Sequence, residues 1–140
     1  MTEIETRLES LNLELPPTNI PAGNYLPYVR MGDQLFISGQ LSRTMDSAPL
    51  TGKLGLDTSV EQGYQAARSS AIFALSAVKL ALGNLDDVIQ IVKVLGLVNS
   101  TPEFTEHSQV INGASDLFAK IFGDSGKHAR AAIGVPSLPF

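Results

Sequence analysis

Apolar positions recur at helical spacing near the start of the chain. Ile4, Leu8 and Leu11 stand among charged residues, which predicts a short amphipathic helix from about residue 3 to residue 11. Three prolines then predict an extended linker, because each fixes φ and removes a backbone donor; they are Pro16, Pro17 and Pro21. We assign residues 1–22 to this helix and its Pro-rich linker.

Two short apolar runs flank a turn signal in the next segment. Residues 25–30 and 35–38 are predicted to be strands, and the Gly32-Asp33 pair between them is typical of a hairpin turn. Residues 43–56 are rich in turn-forming residues and are predicted to be a loop.

A long helical periodicity follows this loop. Thr58 and Glu61 have the spacing of a capping box, in which the hydroxyl and the carboxylate each satisfy a free backbone N–H. The apolar positions continue to Leu82, and Gly83 is a natural stop for the predicted helix.

The strongest strand pattern covers residues 88–99, where apolar side chains occupy both faces. We therefore expect both faces to be buried. Thr101 is predicted to cap a second helix, with Pro102 in its first turn and an end at Gly123. Residues 129–135 are the last predicted strand.

The predicted order is helix, strand, strand, long helix, strand, helix, strand, which indicates an α+β class. The two later helices can cover one face of a sheet. Because the central strand needs cover on its other face as well, we expect that face to pack against further copies of the chain.

Composition narrows the classes of protein. At 140 residues the chain has the length of one domain, and we predict a single domain over residues 1–140. A net charge of −4 without any basic run argues against a nucleic-acid partner. The acidic N-terminus is unlike a signal peptide, no apolar run could span a bilayer, and cysteine is absent. We therefore predict a cytoplasmic protein without a membrane partner.

Arg130 lies near the start of an apolar strand among small neighbours. A guanidinium in such a place is costly to bury without an anionic partner, and its planar fork matches a carboxylate. We interpret Arg130 as the residue that holds a small carboxylate metabolite. The alternatives are an ion pair with a carboxylate of the protein itself or a place on an exposed edge.

Four further residues are candidates for the same pocket. Gly39, after Ser38 at a strand end, permits close approach of the backbone to a ligand, although a plain turn glycine is the simpler interpretation. Tyr25 is either a pocket wall or a core aromatic. Asn112 is either a site residue or a polar position near the surface of an apolar helix.

Other catalytic patterns are missing from the sequence. Two histidines, His107 and His128, are too few for a metal cluster. We interpret His107 as a solvated helix residue, and His128 as either a surface turn residue or one that orients the pocket. Ser38 lacks the G-x-S-x-G context of an esterase nucleophile, and residues 123–127 lack the spacing of a phosphate loop.

From about residue 22 to residue 139 the chain resembles the RidA/YjgF family, as a divergent subfamily. The similarity lies in Tyr25, Ile37-Ser38-Gly39-Gln40, Asn112, and Ala129-Arg130 leading through Val135 to Leu138-Pro139. The resemblance implies a chorismate-mutase-like α+β fold, in which two helices pack on one face of a mixed β-sheet. It also implies a homotrimer with three clefts between subunits.

The resemblance further implies hydrolysis of reactive enamines and imines, such as 2-aminoacrylate, to 2-keto acids and ammonia without a cofactor or metal. Arg130 would clamp the substrate carboxylate. The cleft would be lined, partly from a neighbouring subunit, by Tyr25, Ser38, Gly39 and Asn112. A positioned water would attack the imine carbon, with catalysis from orientation and charge stabilisation.

The chain departs from the family pattern at two places. Ala132 stands where the family often has cysteine, and the sequence ends at Phe140, before the strand that carries the family's water-positioning glutamate. Because losing that strand would expose a sheet edge, we expect the natural chain to continue. A non-catalytic module for small carboxylates or keto acids is an alternative function. The third possible function is that of an endoribonuclease, an activity ascribed to part of the family, and the acidic composition argues against it.

Overall fold

A computed structural model describes residues 2–140 and shows three α-helices and four β-strands in that range. In chain order they are α1 (Glu3–Ser10), β1 (Tyr28–Met31), β2 (Gln34–Ile37), α2 (Val60–Leu82), β3 (Lys93–Asn99), α3 (His107–Phe122) and β4 (Ala129–Val135). Short 3-10 turns lie at Leu85–Asp87 and Gly123–Gly126. The α+β class predicted from the sequence is therefore confirmed.

The strands form two separate pairs. β1 and β2 are an antiparallel hairpin, and Gly32 in its turn has a φ of 60°, which glycine adopts without strain. β3 and β4 run parallel, from the Lys93–Ala129 pair to the Asn99–Val135 pair. Among the described residues no backbone ladder joins the two pairs, so the single mixed sheet that we expected is not formed within one chain.

The long helix α2 begins one residue later than predicted. Its capping box is made by Ser59 and Gln62, whose side chains each bond the other's backbone N–H, at 3.1 and 2.8 Å. Thr58 does not serve as the cap, because its hydroxyl donates to the Asp57 carboxylate at 2.9 Å. The predicted end is confirmed, since Gly83 closes the helix with a φ of 78°.

Strand β3 is shorter than the predicted strand over residues 88–99. A 3-10 turn, capped by the Asn84 side chain, precedes it and delays the ladder. Ile91 then donates its N–H to the Ser125 carbonyl at 2.8 Å, outside any strand. Regular pairing begins at Lys93.

The two faces of β3 have different environments. Val98 and Gly96 lie on the face that packs beneath α3, and both are buried. On the opposite face Leu95 is 60% exposed and Leu97 is 43% exposed. Burial of both faces, which the apolar pattern predicts, is therefore not achieved within a single chain.

Helix α3 begins later than the Thr101 cap that we predicted. Thr101 donates its N–H to the Leu54 carbonyl at 2.9 Å, and its own carbonyl accepts the Phe104 N–H at 3.2 Å. These bonds hold a turn, so the helix starts only at His107, with Glu106 at the N-cap position. Its predicted end at Gly123 is confirmed.

Helices α2 and α3 pack closely where glycine replaces a side chain. A Cβ atom built at Gly113 would lie 1.9 Å from the Tyr64 carbonyl oxygen, so only glycine permits this approach. Nearby, the Tyr64 hydroxyl donates to the Asp116 carboxylate at 2.7 Å, and this bond raises the pKa of Tyr64. The close crossing fixes the position of α3, which carries part of the candidate site.

Helix α1 is docked on α3. Its Arg7 guanidinium donates to the Ile121 carbonyl at 2.8 Å, and Ile4 and Leu8 are buried in the main core. We expect Leu8→Ala to lower the free energy of unfolding by about 2 kcal/mol, because it leaves a cavity under the helix. Urea unfolding measures this loss, and exposed Glu9 supplies the control Glu9→Ala. Equal stability of the two variants would show that α1 is not held by this contact.

Candidate functional site

The guanidinium of Arg130 bridges β4 to α3. Its Nη1 donates to the Asn112 side-chain oxygen at 2.8 Å and to the Ser115 hydroxyl oxygen at 3.0 Å. Asn112 and Ser115 are three residues apart on α3 and therefore share one helix face. All three side chains are half-buried. The structure thus places two of the predicted site residues, Arg130 and Asn112, in direct contact.

The charge of Arg130 is not cancelled by a carboxylate. Within residues 2–140 the ion pairs join Arg7 to Glu3 and Lys127 to Asp124. The acceptors that Arg130 uses in the described chain are a neutral amide and a hydroxyl. A guanidinium has five N–H donors, and these contacts occupy two of them. The guanidinium of Arg130 is therefore held in a fixed orientation and keeps N–H donors for a further acceptor.

His128 belongs to the same cluster and is not the surface turn residue of one interpretation. Its Nδ1 lies 2.8 Å from the Gly126 carbonyl, which can only accept, so Nδ1 carries the proton. In the neutral ring Nε2 is then the acceptor, and the Ser115 hydroxyl donates to it at 2.9 Å. Ser115 therefore accepts from Arg130 while it donates to His128.

The hydrogen-bond chain predicts the tautomer of His128. We expect the neutral ring to carry its proton on Nδ1, because the carbonyl of Gly126 requires a donor there. Long-range proton–nitrogen NMR correlations distinguish the two ring nitrogens, and His107 in the same spectrum serves as an internal reference. A proton found on Nε2 of neutral His128 would contradict the assigned direction of the Ser115 bond.

The other predicted site residues lie around the β1–β2 hairpin. In the described chain this hairpin packs on α2 and does not contact β3, β4 or α3. The Ser38 hydroxyl donates to the Leu26 carbonyl and ties the segment after Tyr25 to the end of β2. Tyr25 is 57% exposed, so it is not a core aromatic. A Cβ atom at Gly39 would meet no described atom within 4 Å, which leaves open space there.

The structure corrects our interpretation of His107. It is half-buried as the first residue of α3, and its ring packs edge-on against Phe104 with centroids 5.2 Å apart. Among residues 2–140 no three His, Asp or Glu side chains come together to hold a metal ion. In the same range no helix has both the length and the apolar character needed to cross a bilayer. The cytoplasmic location stays a prediction.

Ser115 is the site residue that our sequence reasoning missed. It contacts both Arg130 and His128, although neither is close to it in sequence. A signal was present, because Ser115 follows Asn112 by three positions on a predicted helix and must share its face. The spacing could not show that β4 packs against this face of α3.

Comparisons with known proteins agree with this fold. Residues 5–140 match the family described as "YjgF/chorismate_mutase-like, putative endoribonuclease". Protein TCP17 of Trypanosoma cruzi is 46% identical over 138 residues, which are 98% of this chain and 86% of that protein. The crystal structure of protein Atu1372 from Agrobacterium tumefaciens, of unknown function, is 43% identical with a TM-score of 0.89, covering 98% of this chain and 83% of that one.

A "putative endoribonuclease" from Shewanella oneidensis, also a crystal structure, is 38% identical with a TM-score of 0.93. The match covers 97% of this chain and 90% of that chain. Similarity therefore extends over nearly the whole sequence in each comparison and includes the strand of Arg130. The chain belongs to the YjgF/chorismate mutase-like family.

Proposed function

We propose that the protein holds the carboxylate of a small metabolite at Arg130 and hydrolyses reactive enamines and imines of the 2-aminoacrylate type. The observation that carries this proposal is the half-buried guanidinium of Arg130, fixed by two neutral acceptors and free of a carboxylate partner within residues 2–140. A cation that is already oriented loses little freedom when an anion binds, which favours affinity.

The proposed reaction balances without a redox partner. The enamine 2-aminoacrylate tautomerises to its imine, water adds to the C=N carbon, and ammonia leaves to give pyruvate. One water is consumed and one ammonia is released for each pyruvate formed. Arg130 would fix the carboxylate next to the reacting carbon, so that rate enhancement comes from orientation and charge stabilisation.

The second group of predicted residues would reach this cleft from a neighbouring copy in a homotrimer. Tyr25, Ser38 and Gly39 belong to the hairpin region, and the hairpin does not touch β4 within the described chain. Apolar side chains on the outer face of β3 and β4 support self-association, since Leu95, Leu97 and Ile133 are between 43% and 60% exposed. Light scattering should give the mass of three chains, and a mass of one chain would rule the shared cleft out.

A non-catalytic binding module is the second candidate function. It is favoured by the chemistry of the cluster, which in the described chain contains an amide, a hydroxyl and an imidazole around Arg130 but no carboxylate to activate water. Such a module would bind pyruvate or 2-ketobutyrate and be stabilised by it without turnover.

One pair of measurements separates these candidates. Pyruvate and ammonia released from 2-aminoacrylate generated in the assay are followed with and without the protein, and the spontaneous rate is the baseline. In parallel, the midpoint of thermal unfolding is measured with pyruvate and 2-ketobutyrate. Acceleration supports the deaminase, and stabilisation without acceleration supports the binding module. If the protein showed neither acceleration nor stabilisation, both candidate functions would be overturned.

An endoribonuclease activity is named for the family and for the Shewanella protein. We do not extend it to this chain, because 14 acidic against 10 basic side chains provide no electrostatic footprint for RNA. An RNA-cleavage assay with Arg130→Gln as control tests this choice, and cleavage that depends on Arg130 would reverse it.

A further inference from the structure

A cavity with mixed polar and apolar walls lies at the far end of the β3–β4 pair. Its volume is about 320 Å³, and its lining includes Lys53, Ser100, Thr101, His107 and Gly134. Gly134 follows Arg130 by four residues on β4, which corresponds to about 13 Å along a strand. The cavity is therefore separate from the Arg130 cluster.

The hydroxyl of Ser100 is buried at this cavity without a good partner. Ser100 is 5% exposed, and its Oγ has its described contact with His107 Nε2 at 3.4 Å. That distance is long for a bond made by a hydroxyl, and buried hydroxyls normally make a shorter one. Ser100 can therefore make a stronger hydrogen bond to a ligand in the cavity.

Lys53 supplies positive charge beside this hydroxyl. Its ammonium donates to the Pro136 carbonyl, which uses one of its three N–H donors. Within residues 2–140 the ion pairs do not include Lys53. The nearby Asp57 carboxylate accepts the backbone N–H of Lys53 at 2.6 Å, and this bond lowers the pKa of Asp57. The Asp57 carboxylate thus offsets part of the positive charge of Lys53 without forming a hydrogen bond to its ammonium.

Gly134 leaves room for the His107 and Ser100 side chains at the cavity wall. A Cβ atom at this strand position would lie 2.5 Å from His107 Nε2 and 2.6 Å from Ser100 Oγ. Glycine inside a strand weakens it and often marks a place where another group approaches the backbone. Phe104 packs edge-on against the His107 ring and so helps to hold the imidazole at the cavity wall.

We propose that this cavity binds a phosphate group, as inorganic phosphate or as the phosphate of a small ester. Lys53, Ser100, Thr101 and His107 all line it, and Lys53 comes from a segment far from the other three in sequence. Donors from several directions fit a tetrahedral oxyanion, whereas a planar carboxylate is better matched by an arginine fork. The first turn of α3, which no described side chain caps, adds favourable partial charge.

Amide NMR of the full chain tests this site. Titration with inorganic phosphate, at an ionic strength held constant with sodium chloride, should shift the amides of Ser100, Thr101, His107 and Gly134. Titration with phenyl phosphate distinguishes the source, since tighter binding of the ester indicates a phosphorylated metabolite and tighter binding of phosphate indicates the free ion. Absence of shifts at these amides up to millimolar phosphate would overturn the proposal.

Charge-matched variants decide whether Lys53 carries the binding. Lys53→Gln should weaken phosphate binding about tenfold, because it removes a charge-assisted contact. Lys93→Gln is the control, since it removes the same charge from the exposed beginning of β3. Equal weakening in both variants would reveal non-specific attraction and overturn the site.

Two more variants make the test independent of a single substitution. Ser100→Ala keeps the shape of the cavity, removes the buried hydroxyl and should weaken binding less than Lys53→Gln does. Arg130→Gln should leave the phosphate-induced shifts at Ser100, Thr101, His107 and Gly134 unchanged, because Arg130 lies at the other end of β4. If the shifts at these four residues were lost in Arg130→Gln, the anion would belong to Arg130 and the second site would be overturned.

Discussion

Arg130→Gln is expected to lower kcat/KM for 2-aminoacrylate hydrolysis by about a hundredfold and to remove stabilisation by pyruvate. Glutamine keeps much of the length of the side chain and can still donate to Asn112 or Ser115, so the fold should persist. It lacks the charge and the fork that would bind the carboxylate. Steady-state kinetics and thermal unfolding with added pyruvate measure the two effects.

Two further variants define the cause of this loss. Arg130→Lys keeps the charge without the fork, and we expect an activity between those of the native protein and Arg130→Gln. Arg30→Gln is the matched control, because Arg30 is exposed and bonds the Gly32 carbonyl of its own turn. If folded Arg130→Gln retained the native kcat/KM and the native response to pyruvate, the carboxylate clamp would be wrong.

Gly113→Ala is expected to lower the free energy of unfolding by about 3 kcal/mol or more. The added methyl would lie 1.9 Å from the Tyr64 carbonyl oxygen, so α2 and α3 must move apart. Alanine is the better helix former by up to about 1 kcal/mol, but this gain is smaller than the expected clash. Urea unfolding followed by circular dichroism measures the difference.

The same substitution at an open position is the control for Gly113→Ala. A Cβ atom at Gly39 would meet no described atom within 4 Å, so Gly39→Ala should change stability by less than about 0.5 kcal/mol. Its effect on keto-acid binding is informative in addition, because Gly39 is a proposed cleft residue. Equal stability of the two variants would show that the α2–α3 crossing tolerates a side chain, contrary to the close approach in the structure.

A displacement of α3 in Gly113→Ala would also affect the Arg130 site. Asn112 precedes Gly113 directly, and it is one of the two residues that hold the Arg130 guanidinium. A shift of the helix crossing would therefore disturb the site as well as the core. We expect any folded fraction of Gly113→Ala to bind pyruvate less tightly than Gly39→Ala does.

Element boundaries were predicted best where a single residue type decides them. The hairpin turn at Gly32 and the helix ends at Gly83 and Gly123 agree with the sequence, because glycine accepts the backbone conformations that stop an element. The first residues of the helices were predicted less accurately from the sequence. Thr58 with Glu61 and Ser59 with Gln62 have the same capping spacing, and the turn that engages Thr58 with Asp57 selects the second pair.

By itself the sequence determined the α+β class, the order of the elements and the bounds of the strand at residues 129–135, and it supplied Arg130 as a candidate site residue, because periodicity and side-chain chemistry are local properties. Only the tertiary structure decided what surrounds Arg130. Asn112 and Ser115 bond Arg130, and His128 bonds Ser115, because β4 lies beside α3 in one register. That register depends on the Gly113 crossing and on contacts between residues far apart in sequence.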